Sequence, residues 1–250
     1  MIAECLARTL GFRCIDRDVI VEKAAARGIS QYELIEALEK PPSFLDRLRH
    51  RKYIYLALIQ AALTEEVRTG KVVYHGNAGH LLLKGASPVL RLRIVAPLEF
   101  RIKMCRERLK LSTDEAIRYI QKMDADRRKW TQYLYGVDWG DPELYDLVLN
   151  LESINIEEAC AVLAAFVKQQ KCYSFGPSCQ EAMNDLALAS RIKADLAVDP
   201  ATSDLELDVA AKAGTVRVRG KLSTPNQLSE IRRVSNAVPG VSNLDLDSLG

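Results

Sequence analysis

Several features are scarce in this 250-residue sequence, and each scarcity narrows what the chain can be. No stretch approaches the ~18 consecutive apolar residues that a membrane-spanning helix needs. The N-terminus lacks the basic-then-apolar layout of a secretory leader. Cys5, Cys14, Cys105, Cys160, Cys172 and Cys179 are scattered without a C-x-x-C pair, several inside apolar patterns. That usage predicts reduced, mostly buried thiols and a cytoplasmic address, with a Cys172–Cys179 loop disulfide disfavoured. A net charge of +2 is too small to suggest a nucleic-acid partner. The charge is unevenly divided, however. Residues 1–175 carry 27 Lys and Arg against 23 Asp and Glu, and residues 176–250 carry 8 against 10. Positive charge thus sits in the first part, where any anion-handling site is expected.

The length suffices for one large domain or two smaller ones. The densest chemistry lies between Lys122 and Asn150, where Asp124, Asp126, Arg127, Arg128 and Lys129 share one short run. Two tyrosines follow, then Trp139-Gly140-Asp141-Pro142, then a strand-like Tyr145–Leu149. Helical spacing brings Asp124, Arg127 and Arg128 close to one face. A guanidinium pair before a glycine turn suits phosphate oxygens, because each planar fork donates parallel hydrogen bonds. Read locally, a solvated charged helix ending at Gly136 is the favoured reading, because charge runs are more often solvated faces.

Elsewhere the pattern alternates helices with short strands. Ile2, Leu6 and Leu10 form one stripe of a helix stopped at Gly11, and Phe12–Ile15 reads as a strand closed by Asp16, Arg17 and Asp18. Ser30 to Glu33 is a capping-box signature for a helix ending before Pro41-Pro42. A long helix over Phe44–Thr69 carries a basic run, Arg47 to Lys52, read as a solvated face. Val72–Tyr74 is a strand followed by the turn Gly76-Asn77-Ala78-Gly79, and open α/β sheets bind ligands at such strand ends. His75 and His80 flank that turn, but two histidines without a third ligand fall short of a metal site. Val89–Ala96 reads as another strand. Pro97 then opens a helix presenting Arg101, Arg106 and Arg108. Ser112 to Glu115 is a second capping box, and Asn155 caps a helix to about Gln170. Strands separated by helices predict an α/β fold, a parallel sheet flanked by helices.

Three of these segments carry a resemblance. The lid-like run from Lys122 through W-G-D-P to Y-D-L-V-L-N, the segment Leu10-Gly11-Phe12 to Asp18, and Ala96-Pro97-Leu98-Glu99-Phe100-Arg101 resemble the cytidylate-kinase-like family. These are P-loop nucleoside-monophosphate kinases, and the resemblance covers residues 1–171. It implies transfer of the ATP γ-phosphoryl to CMP or a similar acceptor, with ATP and Mg²⁺ as cofactors. It also implies roles: Arg127 and Arg128 on the transferring phosphates, and Lys122 on the lid side of ATP. Asp16, Arg17, Gly76, Asn77 and Arg101 would hold substrate, and Asp124 would orient a lid arginine. Two departures stand out. The family's first strand and phosphate loop are expected before α-helix 2–10, and no G-x-x-x-x-G-K-[ST] occurs anywhere in the chain. Asn77 stands where the family has an arginine. The resemblance therefore implies a kinase that is inactive or crippled in the chain as given. The alternative is a non-catalytic nucleotide-sensing or scaffolding pseudokinase.

Residues 172–178 read as a linker. Beyond them come a helix, alternating strands Leu205–Val209 and Thr215–Arg219, a helix after Pro225, and a closing P-G-V-S-N-L. The glycine-flanked T-V-R-V-R and that ending resemble a BON domain over residues 179–247, a small α+β unit. The resemblance implies a protein or small-ligand partner there.

Overall fold

In the computed structural model, residues 1–39, 47–76, 78–84, 89–169 and 176–250 are described. Helix α1 (Ile2–Leu10) ends where Gly11 turns to a φ of 68°, a left-handed cap that glycine adopts without a Cβ clash. Strand β1 (Arg13–Asp16) follows, and Asp16 caps α2 (Arg17–Ala25) by accepting from the Val19 N–H at 3.0 Å. Helices α3 (Gln31–Glu39) and α4 (Arg47–Val67) lead to β2 (Val72–His75) and the short α5 (Gly79–Leu82). Then come β3 (Leu92–Val95), α6 (Leu98–Leu109), α7 (Thr113–Tyr135), β4 (Leu147–Asn150) and α8 (Ile156–Gln169). Ser112 and Glu115 cap α7 reciprocally, and Asn155 and Glu158 do the same for α8.

The fold is mixed α/β, with small parallel sheets flanked by helices. Instead of one continuous sheet, β1 pairs with β2 and β3 with β4, each pair parallel. The registers place Asp16 beside His75 and Val95 beside Asn150, so the strands of each pair end level. Helices α1 and α8 tie the pairs together. Leu6 on α1 and Cys160, Leu163 and Ala164 on α8 form a cluster with Val73 of β2 and Leu92, Leu147 and Leu149 of β3 and β4. The larger core is helical: Ile20, Leu34, Leu58, Ile59, Leu63 and Leu82 come from α2 to α5, and α7 adds Trp130. The Trp130 indole N–H donates to the Ala37 carbonyl at 2.7 Å, which fixes α7 against α3.

The expectation of reduced thiols is corrected here. Cys5 and Cys160, 155 residues apart, form a disulfide between α1 and α8. Cys14 is exposed, Cys105 and Cys179 are partly so, and Cys172 lies outside the described residues. Lys52, the last residue of the basic run, also differs from its reading as part of a solvated face. Lys52 is only 8% exposed, and burial lowers its ammonium pKa to about 8, with Glu36 opposing that shift.

The C-terminal unit runs α9 (Pro177–Val198), β5 (Asp208–Lys212), β6 (Thr215–Gly220), α10 (Asn226–Ala237) and β7 (Asn243–Leu249). Strand β6 lies between β5, antiparallel, and β7, parallel. The first strand is displaced from the expected Leu205–Val209. Ala213 and Gly214, at φ 49° and 79°, form a two-residue hairpin turn that pairs Lys212 with Thr215 and sets the ladder from there. Leu205 and Leu207 are still buried, but they precede the ladder. Helix α9 begins at Pro177, inside the segment read as a linker. It serves two cores: Ile192 and Leu196 pack with Val216, Val218 and Ile231, while Ala194 packs into the helical core of residues 1–135. Polar contacts join this C-terminal unit to α4 and to the end of α2. Arg191 reaches Glu65 at 3.0 Å, Arg27 pairs with Asp195, and the Tyr53 hydroxyl bonds both the N–H and the carbonyl of Leu207.

Candidate functional site

The carboxyl ends of β1 and β2 bring Asp16, Arg17, His75 and Gly76 together. One Asp16 oxygen is committed to the α2 cap, and Arg17 pairs with Asp18 at 3.2 Å. Tyr74, the last inward residue of β2, folds its ring beneath the following turn. A side chain at Gly76 or Gly79 would collide with that ring, so both glycines are required by close approach. Burial raises the Tyr74 hydroxyl to about 12, against the pull of the Arg17 charge. This hydroxyl is buried and has no hydrogen-bond partner among the described residues. Asn77 lies outside the described residues.

The next layer is aromatic. His80, on α5, stands nearly perpendicular to Trp139 at 5.1 Å and tilts against Tyr145 at 4.8 Å. Burial, with Arg91 and Arg93 nearby, lowers its pKa to about 4, so the ring is neutral near pH 7. The Trp139-Gly140 turn is fixed from three sides. Tyr145 donates its hydroxyl to the Trp139 carbonyl at 3.1 Å, Arg93 donates to the Gly140 carbonyl at 2.7 Å, and Asp138 accepts from the Gly140 N–H at 2.8 Å. Arg93 also lies 5.5 Å over the Tyr145 ring. Beside it, Arg91 grips Asp146 with a bidentate bond, which holds that carboxyl below its ordinary pKa.

Helix α7 separates the paired arginines. Arg127 turns inward, with its guanidinium 5.9 Å over the Trp139 ring, and its Nε–H is buried without an acceptor among the described residues. Arg128, the next residue, is exposed, as is Lys122. Adjacent helix positions lie about 100° apart, so the two arginines do not share the single face expected of them. Asp124 is also placed differently: it accepts two bonds from Arg101 of α6, at 2.7 and 2.8 Å, and its bond is to that residue. Arg101, read as a substrate contact, is thus held by α7. In the sequence, His80, Trp139, Tyr145 and Tyr74 read only as turn or strand residues or as half of a histidine pair. Their one sequence signal is placement: Tyr74, His75 and His80 bracket the 76–79 turn, and Trp139 and Tyr145 bracket the next one.

Short parallel strands ending level, an arginine-bearing helix beyond them and a glycine turn beside them define an α/β protein, a class in which ligands bind at the carboxyl ends of strands. The same fold appears in the crystal structure of an uncharacterized protein from Eubacterium ventriosum. That structure matches with a TM-score of 0.52 and 13% identity over 68% of this chain and 90% of its own. The sequence model of the cytidylate kinase-like family matches residues 1–153, and the chain belongs to that family. Similar proteins include a cytidylate kinase of Ignicoccus hospitalis, 30% identical over 60% of this chain and 80% of its own length. The cytidylate kinase of Staphylothermus marinus is 27% identical over 59% and 77%, and that of Methanopyrus kandleri 31% over 58% and 74%.

Proposed function

We propose that residues 1–171 form a nucleoside-monophosphate kinase domain that transfers the γ-phosphoryl of ATP to CMP or a similar acceptor. The observation that carries this reading is the family match over residues 1–153. Phosphoryl transfer asks little covalent chemistry of a protein. It needs the two nucleotides positioned and the charge on the moving group neutralised. Arg127 and Arg128 are assigned to that charge, and the unpaired Arg127 Nε–H is a donor in want of an acceptor. Lys122 is assigned to the lid side of ATP. Asp16, Arg17, Gly76 and Asn77 are assigned to the acceptor, and Asp124 holds Arg101 for the substrate contact assigned to it.

Mg²⁺ fits these residues as a nucleotide-borne ion. It keeps several waters and takes one or two carboxylates together with phosphate oxygens, so it needs no protein cage. Among the described residues no cluster of three or more His, Cys, Asp or Glu is gathered, and Asp16 stands at the strand end with one oxygen outside the helix cap. When bound beside Asp16, the ion would supply positive charge that offsets the charge of the phosphates.

Residues 179–247 are assigned as a BON-like unit with a protein or small-ligand partner, joined through the segment that precedes α9 at Pro177. The 250-residue chain contains no G-x-x-x-x-G-K-[ST], so its turnover by itself is expected to fall below about 1 s⁻¹. That same feature favours the second reading, a nucleotide-sensing pseudokinase. A coupled assay with ATP, Mg²⁺ and CMP, UMP or dCMP tests the proposal. Slow acceptor-dependent ADP release that drops about 10²-fold in Arg127→Ala or Arg128→Ala supports it. Nucleotide binding without any transfer favours the sensor. Rates unchanged by either substitution would sink the arginine assignments.

A further inference from the structure

Trp139 makes two contacts at once: one ring meets His80, at the end of the turn after β2, and Arg127, on α7. We infer that Trp139 is a positioning residue that couples the turn after β2 to Arg127, so that occupancy of the turn is felt by the lid arginine. The inference rests on the kinase reading above, and it adds a residue and a route to it.

The geometry supports transmission rather than simple filling. The backbone of Trp139 and Gly140 is pinned by Tyr145, Arg93 and Asp138, so the indole stands on a fixed base. Its ring offers a π-face to a guanidinium that has no acceptor for its Nε–H among the described residues. A cation held by a ring face leaves that Nε–H uncommitted, so the guanidinium is oriented while this donor stays available. On the other side, His80 follows Gly79 directly. Gly79 in turn rests on the Tyr74 ring that also bounds Gly76. Displacement of Gly79 and His80 on binding an acceptor therefore meets the indole through the His80 ring. A salt bridge in place of the ring would have bound Arg127 to one orientation.

The test is a double-substitution cycle on the full chain, read by calorimetric titration with CMP. Trp139→Leu, which keeps apolar bulk and removes the π-face, is expected to weaken CMP binding about 10-fold. Trp139→Phe keeps the face and should stay within about 3-fold of the parent. In an Arg127→Ala background, Trp139→Leu should add less than about 2-fold, since nothing remains to position. A packing role alone would lower the thermal midpoint and would carry its affinity loss undiminished into that background. The second readout is emission. The chain holds two tryptophans, so parent minus Trp139→Phe isolates Trp139. CMP at saturation should shift that signal, and His80→Asn should abolish the shift. CMP binding with no Trp139 response, or with additive substitutions, overturns the coupling and leaves the kinase reading standing. Failure of CMP, UMP and dCMP to bind the parent at all overturns the kinase reading, and the coupling with it.

Discussion

The strands of residues 13–150 and those of residues 208–249 use similar β-branched residues, yet they end in different surroundings. In β6, Val216 and Val218 are 0% exposed, closed between flanking strands and under α9 and α10. In β3 and β4, Ile94 and Val148 are 37% and 40% exposed, and Ile15 of β1 is the one buried strand residue of the two parallel pairs. The N-terminal unit draws its cohesion from helices α2 to α5 and Trp130, and its short strands serve mainly to set where Asp16, Gly76 and the 139–145 turn emerge. The C-terminal unit is a sheet with a covered face. Two parallel pairs with open edges form a scaffold for a site, and a three-stranded sheet with a sealed face forms a core.

The largest effect expected from this contrast is on stability. Ile231→Ala, in the sealed core, should cost about 3–4 kcal/mol, because the fully buried site loses transfer energy and leaves a cavity. Ile94→Ala should cost less than about 1 kcal/mol. Urea unfolding followed by circular dichroism compares the two, and equal losses would erase the distinction.

A smaller effect concerns His80. Its folded pKa, about 4, lies below the ordinary 6.5, because burial beside Arg91 and Arg93 resists its protonation. Between those values the unfolded chain binds a proton that the folded chain refuses, so stability is lost as pH falls from about 6.5 to about 4. Allowing for the ring's partial exposure, that loss is on the order of 2 kcal/mol. It should be missing from His80→Asn, which retains the carboxylate contributions of the parent. Parallel pH profiles for parent and variant would contradict the burial of this ring.

The smallest effect belongs to the Arg101–Asp124 pair, whose side chains are 36% and 41% exposed. A double-mutant cycle should give a coupling of about 0.5–1 kcal/mol, the usual range for solvent-exposed ion pairs. If Arg101 has a stronger role through substrate, it will appear in nucleotide affinity and not in this cycle.

What was legible in the sequence was local. Gly11 and the Ser112–Glu115 and Asn155 caps satisfy backbone groups three or four residues away, so their chemistry is written beside them. The α9-to-β7 element order was legible for the same reason, since alternation and glycine turns are short-range signals. Long-range contacts were not. His80 meets Trp139 across 59 residues, and Cys5 meets Cys160 across 155. No periodicity marks either pair. The split between Arg127 and Arg128 depends on which helix face meets the Trp139 turn, and the charge run is silent on that. The offset of β5 came from the hairpin turn at Ala213-Gly214, which outweighed the alternation of Leu205 and Leu207.

The most direct test of the candidate site is calorimetric titration of the full chain with CMP and with ATP plus Mg²⁺, beside an Arg127→Ala, Arg128→Ala double variant. The parent should bind both nucleotides, and the variant should bind at least about 10-fold more weakly while keeping the parent's circular dichroism spectrum, as expected when charge-assisted phosphate contacts are removed. A parent that binds neither nucleotide, or a variant that binds as tightly as the parent, would contradict the assignment of a nucleotide site to the lid arginines.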